Sequence, residues 1–145
     1  MATSFKKELL LGHHNFGVGV IRAATTADSF KAALYLATAT MNAATTAYSA
    51  TNEVSGSGYT AGGVAVTFAT APNTTGTTAF VTPSANIVFS GVTLTTSFDA
   101  VLLYNATQGN KAVSVHTFTA QTITAGTLTL TMPVNDASTG LLRLV

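Results

Sequence analysis

The sequence has no cysteine and no tryptophan, and it has few charged residues of either sign. Without cysteine the chain forms no disulfide, offers no thiolate nucleophile and supplies no sulfur ligand for zinc. Only 8% of the residues are charged, whereas about a quarter are charged in typical soluble domains. We therefore expect stability to come from packing, backbone hydrogen bonds or assembly.

Charge is missing altogether from one long stretch. Between Glu53 and Asp99 there is no Asp, Glu, Lys or Arg, and residues 54–98 are mainly Thr, Ala, Gly, Val and Phe. A hydroxyl needs only a hydrogen-bond partner when it is buried, whereas a buried ion needs a counter-charge. We interpret this stretch as the source of a surface that packs against other protein.

Two classes of partner are not expected. The six Lys and Arg residues are scattered along a chain of net charge +1, so no basic stripe is available to neutralise the phosphates of a nucleic acid. No run approaches the roughly 20 apolar residues of a membrane-spanning helix. The apolar run after Lys6 and Lys7 is too short for a signal peptide, and we interpret it as mature sequence.

A length of 145 residues predicts one domain with one core. We assign residues 1–27 to an N-terminal helix and arm, and residues 28–145 to a β domain. Ser4 is a suitable N-cap and Gly12 a suitable stop for a short helix over residues 4–11. Residues 13–26 contain glycines and small apolar residues, which favours an extended arm that orders against a neighbour.

Period-two alternation dominates from residue 29 onward. It predicts about eight or nine short strands, separated by Gly, Pro, Asn and Asp. The predicted strands cover residues 30–37, 64–69, 79–82, 86–90, 92–98, 100–104, 112–120, 127–132 and 141–145. Strands of this number and spacing, with no long helix, predict an all-β fold: an antiparallel β-sandwich or jelly roll.

The alternation also separates core from surface. We place Val64, Val66, Phe68, Val92, Leu94 and Phe98 in the core, together with Leu128, Leu130 and Met132. The intervening threonines face outward, since a β-branched side chain suits a pleated surface and its hydroxyl stays hydrated. Few Lys or Pro residues are present to prevent the strand edges from pairing with other chains. This favours edges that are covered within an assembly.

No motif predicts catalysis or a bound cofactor. The glycine-rich run at residues 56–63 leads into a strand rather than a helix, so we interpret it as a tight turn with close backbone contacts, not as a phosphate-binding loop. We expect Glu53 to accept hydrogen bonds from amides of this turn. Asp136, in Val-Asn-Asp-Ala-Ser, is expected to form or cap a turn.

The remaining polar residues do not form a recognisable site. His13, His14 and His116 lack the spacing of metal ligands, and a structural or interface role is the better interpretation. General acid-base catalysis commonly uses two carboxylates across a pocket, whereas the five carboxylates here are widely spread. We predict a protein that is not an enzyme and has no catalytic, metal-binding or cofactor-binding residue.

Six blocks of the sequence form a recognisable set. In order, they read DSFKAALY at 28–35, YSATNEVSGSGYTAGG at 48–63, AVLLYN at 100–105, NKAVSV at 110–115, LTLTMPVNDA at 128–137 and LLRLV at 141–145. Together they resemble a widespread family of small virion proteins of tailed bacteriophages. The resemblance covers most of the chain from Asp28 onward, and it is specific only as a set. Residues 17–26 depart from the family pattern as an apparent insertion.

This resemblance implies a β-rich structural protein of the virion. The size suggests a capsid cement or decoration protein, made in the bacterial cytoplasm, that joins neighbouring copies of the major capsid protein on the capsid exterior and forms a dimer or trimer. One alternative is a tail or fibre adaptor or receptor-facing module. A remote one is a carbohydrate-binding β-sandwich, which the absence of Trp disfavours.

Candidate contacts with the partner come from two parts of the chain. Aromatic and apolar residues are common at the energetic centres of interfaces, whereas threonines supply the uncharged strand faces. The predicted partner contacts are Phe5, Leu9, Phe16, Val18 and Val20 in the arm, Tyr59 as an anchor, and Thr67, Thr93 and Thr95 on the strands.

Overall fold

The computed structural model of the chain describes residues 13–14, 16 and 27–145. These residues contain seven β-strands and no helix, so the all-β prediction is confirmed. The helix predicted over residues 4–11 lies outside the described residues. The strands are β1 (Phe30–Leu36), β2 (Val64–Val66), β3 (Asn73–Thr75), β4 (Thr78–Val81), β5 (Ile87–Asn105), β6 (Lys111–Leu130) and β7 (Leu142–Leu144).

Four strands form the larger antiparallel sheet, in the order β2-β1-β5-β6. β5 and β6 are 19 and 20 residues long and form one hairpin whose turn joins Asn105 to Lys111. β1 pairs with residues 98–105 of β5, from Phe30 opposite Asn105 to Leu36 opposite Phe98. The hairpin is thus the longest element, and β1 covers only the end of it near the turn.

The two long strands replace five shorter predicted ones. The breaks expected near Gly91 and Gly126 are instead β-bulges, because the β5–β6 register shifts between Phe89 and Val92 and again between Val92 and Leu94. Gly91 has φ +63 and Ala125 φ +47, and such residues bend a strand without ending it. A glycine between two apolar runs can therefore mark either a turn or a bulge, and the sequence pattern does not tell which.

The smaller antiparallel sheet has the order β3-β4-β7. Phe80 of β4 pairs with Asn73 on one side and Arg143 on the other. Strand β3 was not predicted, because its sequence, Asn-Thr-Thr, has no apolar alternation and all three residues are exposed. Only its pairing with β4 makes it a strand.

The core lies between the apolar faces of these strands. The largest fully buried side chains include Phe89, Phe98, Leu34, Leu94 and Leu102. Of the residues predicted inward, Val66, Phe68, Val92, Leu94 and Phe98 are buried and Val64 is half-buried. Leu128, Leu130 and Met132 are half-buried, whereas Thr127, Thr129 and Thr131 are exposed, so the predicted alternation in this segment is confirmed.

Three phenylalanines form a cluster at one end of the core. The Phe16 ring stacks on Phe30 at a centroid distance of 4.9 Å and meets the Phe68 ring edge-on at 5.1 Å. Phe16 is only 3% exposed. The prediction that Phe16 contacts a partner is therefore wrong, because its ring is already enclosed by the core of its own chain.

Candidate functional site

The predicted partner contacts have different surroundings. Phe5, Leu9, Val18 and Val20 lie outside the described residues. Thr67 and Thr95 are exposed. Thr95 lies on β5 as predicted, whereas Thr67 follows the end of β2 at Val66 and is not on a strand. Thr93 is half-buried, and its hydroxyl accepts a hydrogen bond from the Ala125 amide at 3.1 Å. Thr93 thus bridges β5 and β6, and it offers less to a partner than the other two threonines.

Tyr59, the predicted anchor, is engaged within its own chain. Its ring is half-buried and stacks on Phe89 at 5.9 Å. The hydroxyl accepts a hydrogen bond from the Leu34 amide at 3.0 Å and donates one to Glu53 Oε1 at 2.7 Å. These contacts bind residue 59 to β1 and the core, so it stabilises the fold and does not project as an anchor.

Glu53 is the centre of a tyrosine cluster, which comprises Tyr35, Tyr48, Tyr59 and Tyr104, all four tyrosines of the chain. Glu53 Oε1 accepts hydrogen bonds from Tyr59 and from the Gly62 amide at 2.8 Å, and Oε2 accepts one from the Tyr48 hydroxyl at 2.7 Å. The prediction that Glu53 bonds a turn amide is confirmed. The tyrosine contacts were missed. Tyr48 and Tyr59 lie only five and six residues from Glu53 but follow no recognised motif, and Tyr35 and Tyr104 lie farther away along the chain.

The other two tyrosines complete this arrangement. Tyr104 is buried, stacks on Tyr48 at 4.8 Å and donates a hydrogen bond to the Gly62 carbonyl at 2.7 Å. Tyr35, also buried, donates to the Ser49 carbonyl at 2.6 Å. The cluster therefore binds residues 37–63, the connection between β1 and β2, to the larger sheet.

The pKa values of these tyrosines follow from their surroundings. Burial and the hydrogen bond to Glu53 raise the pKa of Tyr59, whereas for Tyr48 the hydrogen bond is the larger cause and burial the smaller. Burial, with the negative charge of Glu53 nearby, raises the pKa of Tyr104 to about 12. Burial also raises the pKa of Tyr35. The phenols of the cluster therefore stay protonated. They act as hydrogen-bond donors that stabilise the fold.

Two glycines of the 56–63 run lie where a side chain does not fit. A Cβ atom at Gly56 would stand 2.0 Å from the Thr93 carbonyl oxygen, and one at Gly63 would stand 1.8 Å from that of Ala32. Gly63 also has φ +72. The prediction of a tight turn with close backbone contacts is confirmed.

A second polar cluster, centred on the fully buried Asn105, fastens the N-terminal segment to the hairpin turn. The Asn105 amide nitrogen donates to Asp28 at 2.8 Å and lies 3.0 Å from His14 Nδ1, which acts as the acceptor. The Asn105 amide oxygen accepts from the Thr107 and Gln108 amides. These bonds satisfy buried polar atoms and indicate a structural role.

A second uncharged surface lies on β6 and the residues after it. No Asp, Glu, Lys or Arg occurs in residues 112–135, and every threonine in that stretch is exposed. We call these residues the threonine surface: Thr117, Thr119, Thr122, Thr124, Thr127, Thr129 and Thr131. The Thr-Leu alternation at 127–132 was the sequence signal for its final part, whereas the bulged middle gave no regular alternation.

The described part of the chain contains no candidate metal site. Within residues 13–14, 16 and 27–145 no group of three or more His, Asp or Glu side chains could hold a metal ion. The described residues also include no helix that is long and apolar enough to cross a membrane. Asp136 accepts hydrogen bonds from the Ser138 and Thr139 amides at 2.7 Å, as predicted for a turn residue.

Comparison of the chain with models of protein families, with curated proteins and with solved structures finds no significant match.

Proposed function

We propose that the protein is a non-enzymatic structural protein of a bacteriophage virion, most specifically a cement protein that binds the major capsid protein on the outside of the shell. In this proposal the two sheets form a β-sandwich, with the jelly roll as one arrangement of it. The observation that carries the proposal is the threonine surface, a long row of exposed hydroxyls on a 20-residue strand with no charged residue after Lys111.

The physical argument concerns desolvation. A charged side chain resists burial unless a partner supplies a counter-charge, whereas a threonine offers a methyl group for contact and a hydroxyl that any backbone amide or carbonyl can satisfy. A surface of this kind binds another uncharged protein surface at a small desolvation cost. The resemblance of the sequence blocks to small phage virion proteins agrees with this use.

The mechanism we propose is linkage between binding and assembly. A protein that binds the assembled shell and not its separate subunits stabilises the shell by mass action. If the protein is a dimer or trimer, as the resemblance suggests, several weak contacts act together and the apparent affinity rises through effective concentration. No single side chain needs to dominate the interface.

The test compares lysine substitutions on exposed threonines. Thr119→Lys and Thr124→Lys lie on the threonine surface, and Thr40→Lys, at an exposed position outside both uncharged stretches, is the matched control. We expect the first two variants to bind purified shells about tenfold more weakly than wild type, or 1.4 kcal/mol, while Thr40→Lys binds normally and all three fold. Equal binding by all variants would overturn the proposal.

Copy number separates the capsid from the tail. A shell protein is present in on the order of hundreds of copies per particle, whereas a tail adaptor is present in about six to twelve. Quantitative mass spectrometry of purified virions gives the ratio to the major capsid protein. A count near the lower figure would replace the cement role with an adaptor role.

A further inference from the structure

The segment that follows β6, residues 131–141, is attached to the rest of the domain at both of its ends. The Met132 amide donates a hydrogen bond to Asn86 Oδ1 at 3.0 Å. The Leu141 amide donates one to the hydroxyl of the buried Thr82 at 2.9 Å. Both acceptors lie between β4 and β5. Two hydrogen bonds to side chains therefore hold this segment in place.

A cavity between this segment and the β5–β6 hairpin contains one titratable side chain in its wall. The cavity has a volume of about 310 Å³, and His116 lines it together with Met132 and Leu141. Apolar side chains of β5 and β6 form most of the remaining wall, among them Val101, which lies directly opposite His116 in the strand register. The imidazole therefore lies where the segment meets the hairpin.

The hydrogen-bond partner of this imidazole is neutral. His116 is half-buried, and its Nε2 lies 2.9 Å from the hydroxyl of Ser114, a fully buried residue. A hydroxyl can donate to a neutral imidazole nitrogen or accept from a protonated one. It supplies no counter-charge when the ring becomes an imidazolium.

The charged side chains of the three surrounding elements do not line the cavity. They are Asp99 of β5, Lys111 of β6 and Asp136 of the segment, one for each element. Burial, and to a smaller extent the positive charge of the N-terminus, lower the pKa of His116. Both causes act in the same direction, because each disfavours the charged form of the ring.

We propose that His116 is an acid-sensitive switch: when its imidazole takes up a proton, residues 131–141 loosen from the β5–β6 hairpin. The protonated ring needs water or a counter-charge, and the apolar wall of the cavity supplies neither. Movement of the segment away from the hairpin admits water to the ring. The cost of this movement is the loss of the two amide hydrogen bonds and of the packing of Met132 and Leu141.

The direction of the pH dependence follows from the lowered pKa. In the open state the ring is hydrated and has its ordinary pKa of about 6.5, whereas in the closed state the pKa is lower. As pH falls the open state binds the proton first, so the closed state loses stability relative to it below about pH 6.5. Because Thr129 and Thr131 line the same cavity, opening also disturbs one end of the threonine surface.

Amide hydrogen exchange of the protein alone tests this switch. The Met132 and Leu141 amides report on the two ends of the segment. The reference is the Val54 amide, which bonds to the Leu34 carbonyl at 3.0 Å and does not line the cavity. We expect the protection factors of Met132 and Leu141 to fall about threefold or more between about pH 7.5 and 5, while that of Val54 stays constant.

Two variants remove the titrating group, and a third is the matched control. His116→Gln keeps a neutral hydrogen-bonding group beside Ser114, and His116→Phe places an apolar ring at the same position. Neither variant should show the loss of protection at acid pH. His13→Gln replaces another half-buried histidine and should behave as wild type.

Three results would overturn the switch. They are unchanged protection of Met132 and Leu141 in the wild type at acid pH, an equal loss in the His116 variants, and an equal loss at Val54, which would indicate acid unfolding of the whole domain. The assay uses no shell and no partner. A negative result therefore leaves the proposed function standing, and a failure to bind shells leaves the switch standing.

Discussion

At the scale of single residues, Glu53, the charged residue that precedes the uncharged stretch, is hydrogen-bonded only to neutral donors among the contacts described. Glu53 accepts hydrogen bonds from two phenols and one backbone amide. A carboxylate in this state is stabilised by strong, charge-assisted hydrogen bonds, and the donors are fixed in place by ring stacking. Its position beside a glycine turn predicted one of these bonds. The bonds from Tyr48 and Tyr59 lie within the same segment of chain, but no local pattern predicts the conformation that brings the two phenols to one carboxylate.

Tyr59→Phe tests this arrangement at one hydroxyl. The substitution keeps the ring on Phe89 but leaves the Leu34 amide without its acceptor and removes one donor to Glu53. Because an unsatisfied buried amide is costly, we expect the free energy of unfolding to fall by about 1–3 kcal/mol, measured by urea denaturation.

Tyr48→Phe is the matched control for that experiment. It removes a single bond to Glu53 and leaves no backbone group unpaired, so it should cost less than Tyr59→Phe. Equal losses for the two variants would show that the Leu34 amide does not need the Tyr59 hydroxyl.

At the scale of elements, the β5–β6 hairpin decides the form of the larger sheet. β6 is the outer strand, and a long uncharged edge strand is normally open to pairing with other chains. Its register against β5 shifts repeatedly between Phe89 and Ala100, and bulges of this kind twist an edge away from regular pairing. The sequence places few charged residues on this edge, but the bulges make much of it unsuitable for regular pairing with another strand. We therefore propose that a partner contacts the side chains of β6 and not its backbone.

Gly63→Ala tests how the glycine turn joins β1. A methyl group there would meet the Ala32 carbonyl and would also require an unfavourable left-handed conformation. The control is Gly76→Ala, since Gly76 has φ +59 and open space around it. We expect Gly76→Ala to cost about 1–2 kcal/mol and Gly63→Ala to cost clearly more, in thermal unfolding. Similar losses for both would contradict the close contact with β1.

At the scale of the whole molecule, the described residues of the N-terminal segment belong to the core of the β domain. Phe16 packs between Phe30 and Phe68, and His14 contacts the buried Asn105. The predicted boundary at residue 27 therefore crosses a packed cluster. Residues 14 and 16 act as part of one folding unit with the sheets.

Alkaline pH should unfold the protein, because every tyrosine of the cluster has a raised pKa. For Tyr104 the folded pKa is about 12, against about 10 in an unfolded chain. The stabilisation is complete below pH 10 and is lost as pH rises toward 12, since the unfolded state releases its proton first. We expect the urea midpoint to be constant from about pH 8 to 9.5 and to fall above pH 10.

The Tyr104→Phe variant provides the comparison for this pH series. It lacks one of the titrating phenols, so its midpoint should fall less steeply above pH 10 than that of wild type. A wild-type midpoint that stays constant to about pH 11, or a variant that falls as steeply, would contradict the assignment.

The sequence alone determined the properties that depend on neighbouring residues. Strand alternation predicted the all-β class and most of the core, the residues flanking Glu53 and Asp136 predicted their turn hydrogen bonds, and the run at 56–63 predicted close backbone contacts. These predictions succeeded because side-chain direction in a strand and the geometry of a turn are set over a few residues.

Only the tertiary structure decided the features that join distant segments. It turned the glycine breaks of the hairpin into bulges, gathered four tyrosines around Glu53 and enclosed Phe16. Each depends on which surfaces meet after folding, and the packing energy of many weak contacts, rather than any local preference, selects that arrangement.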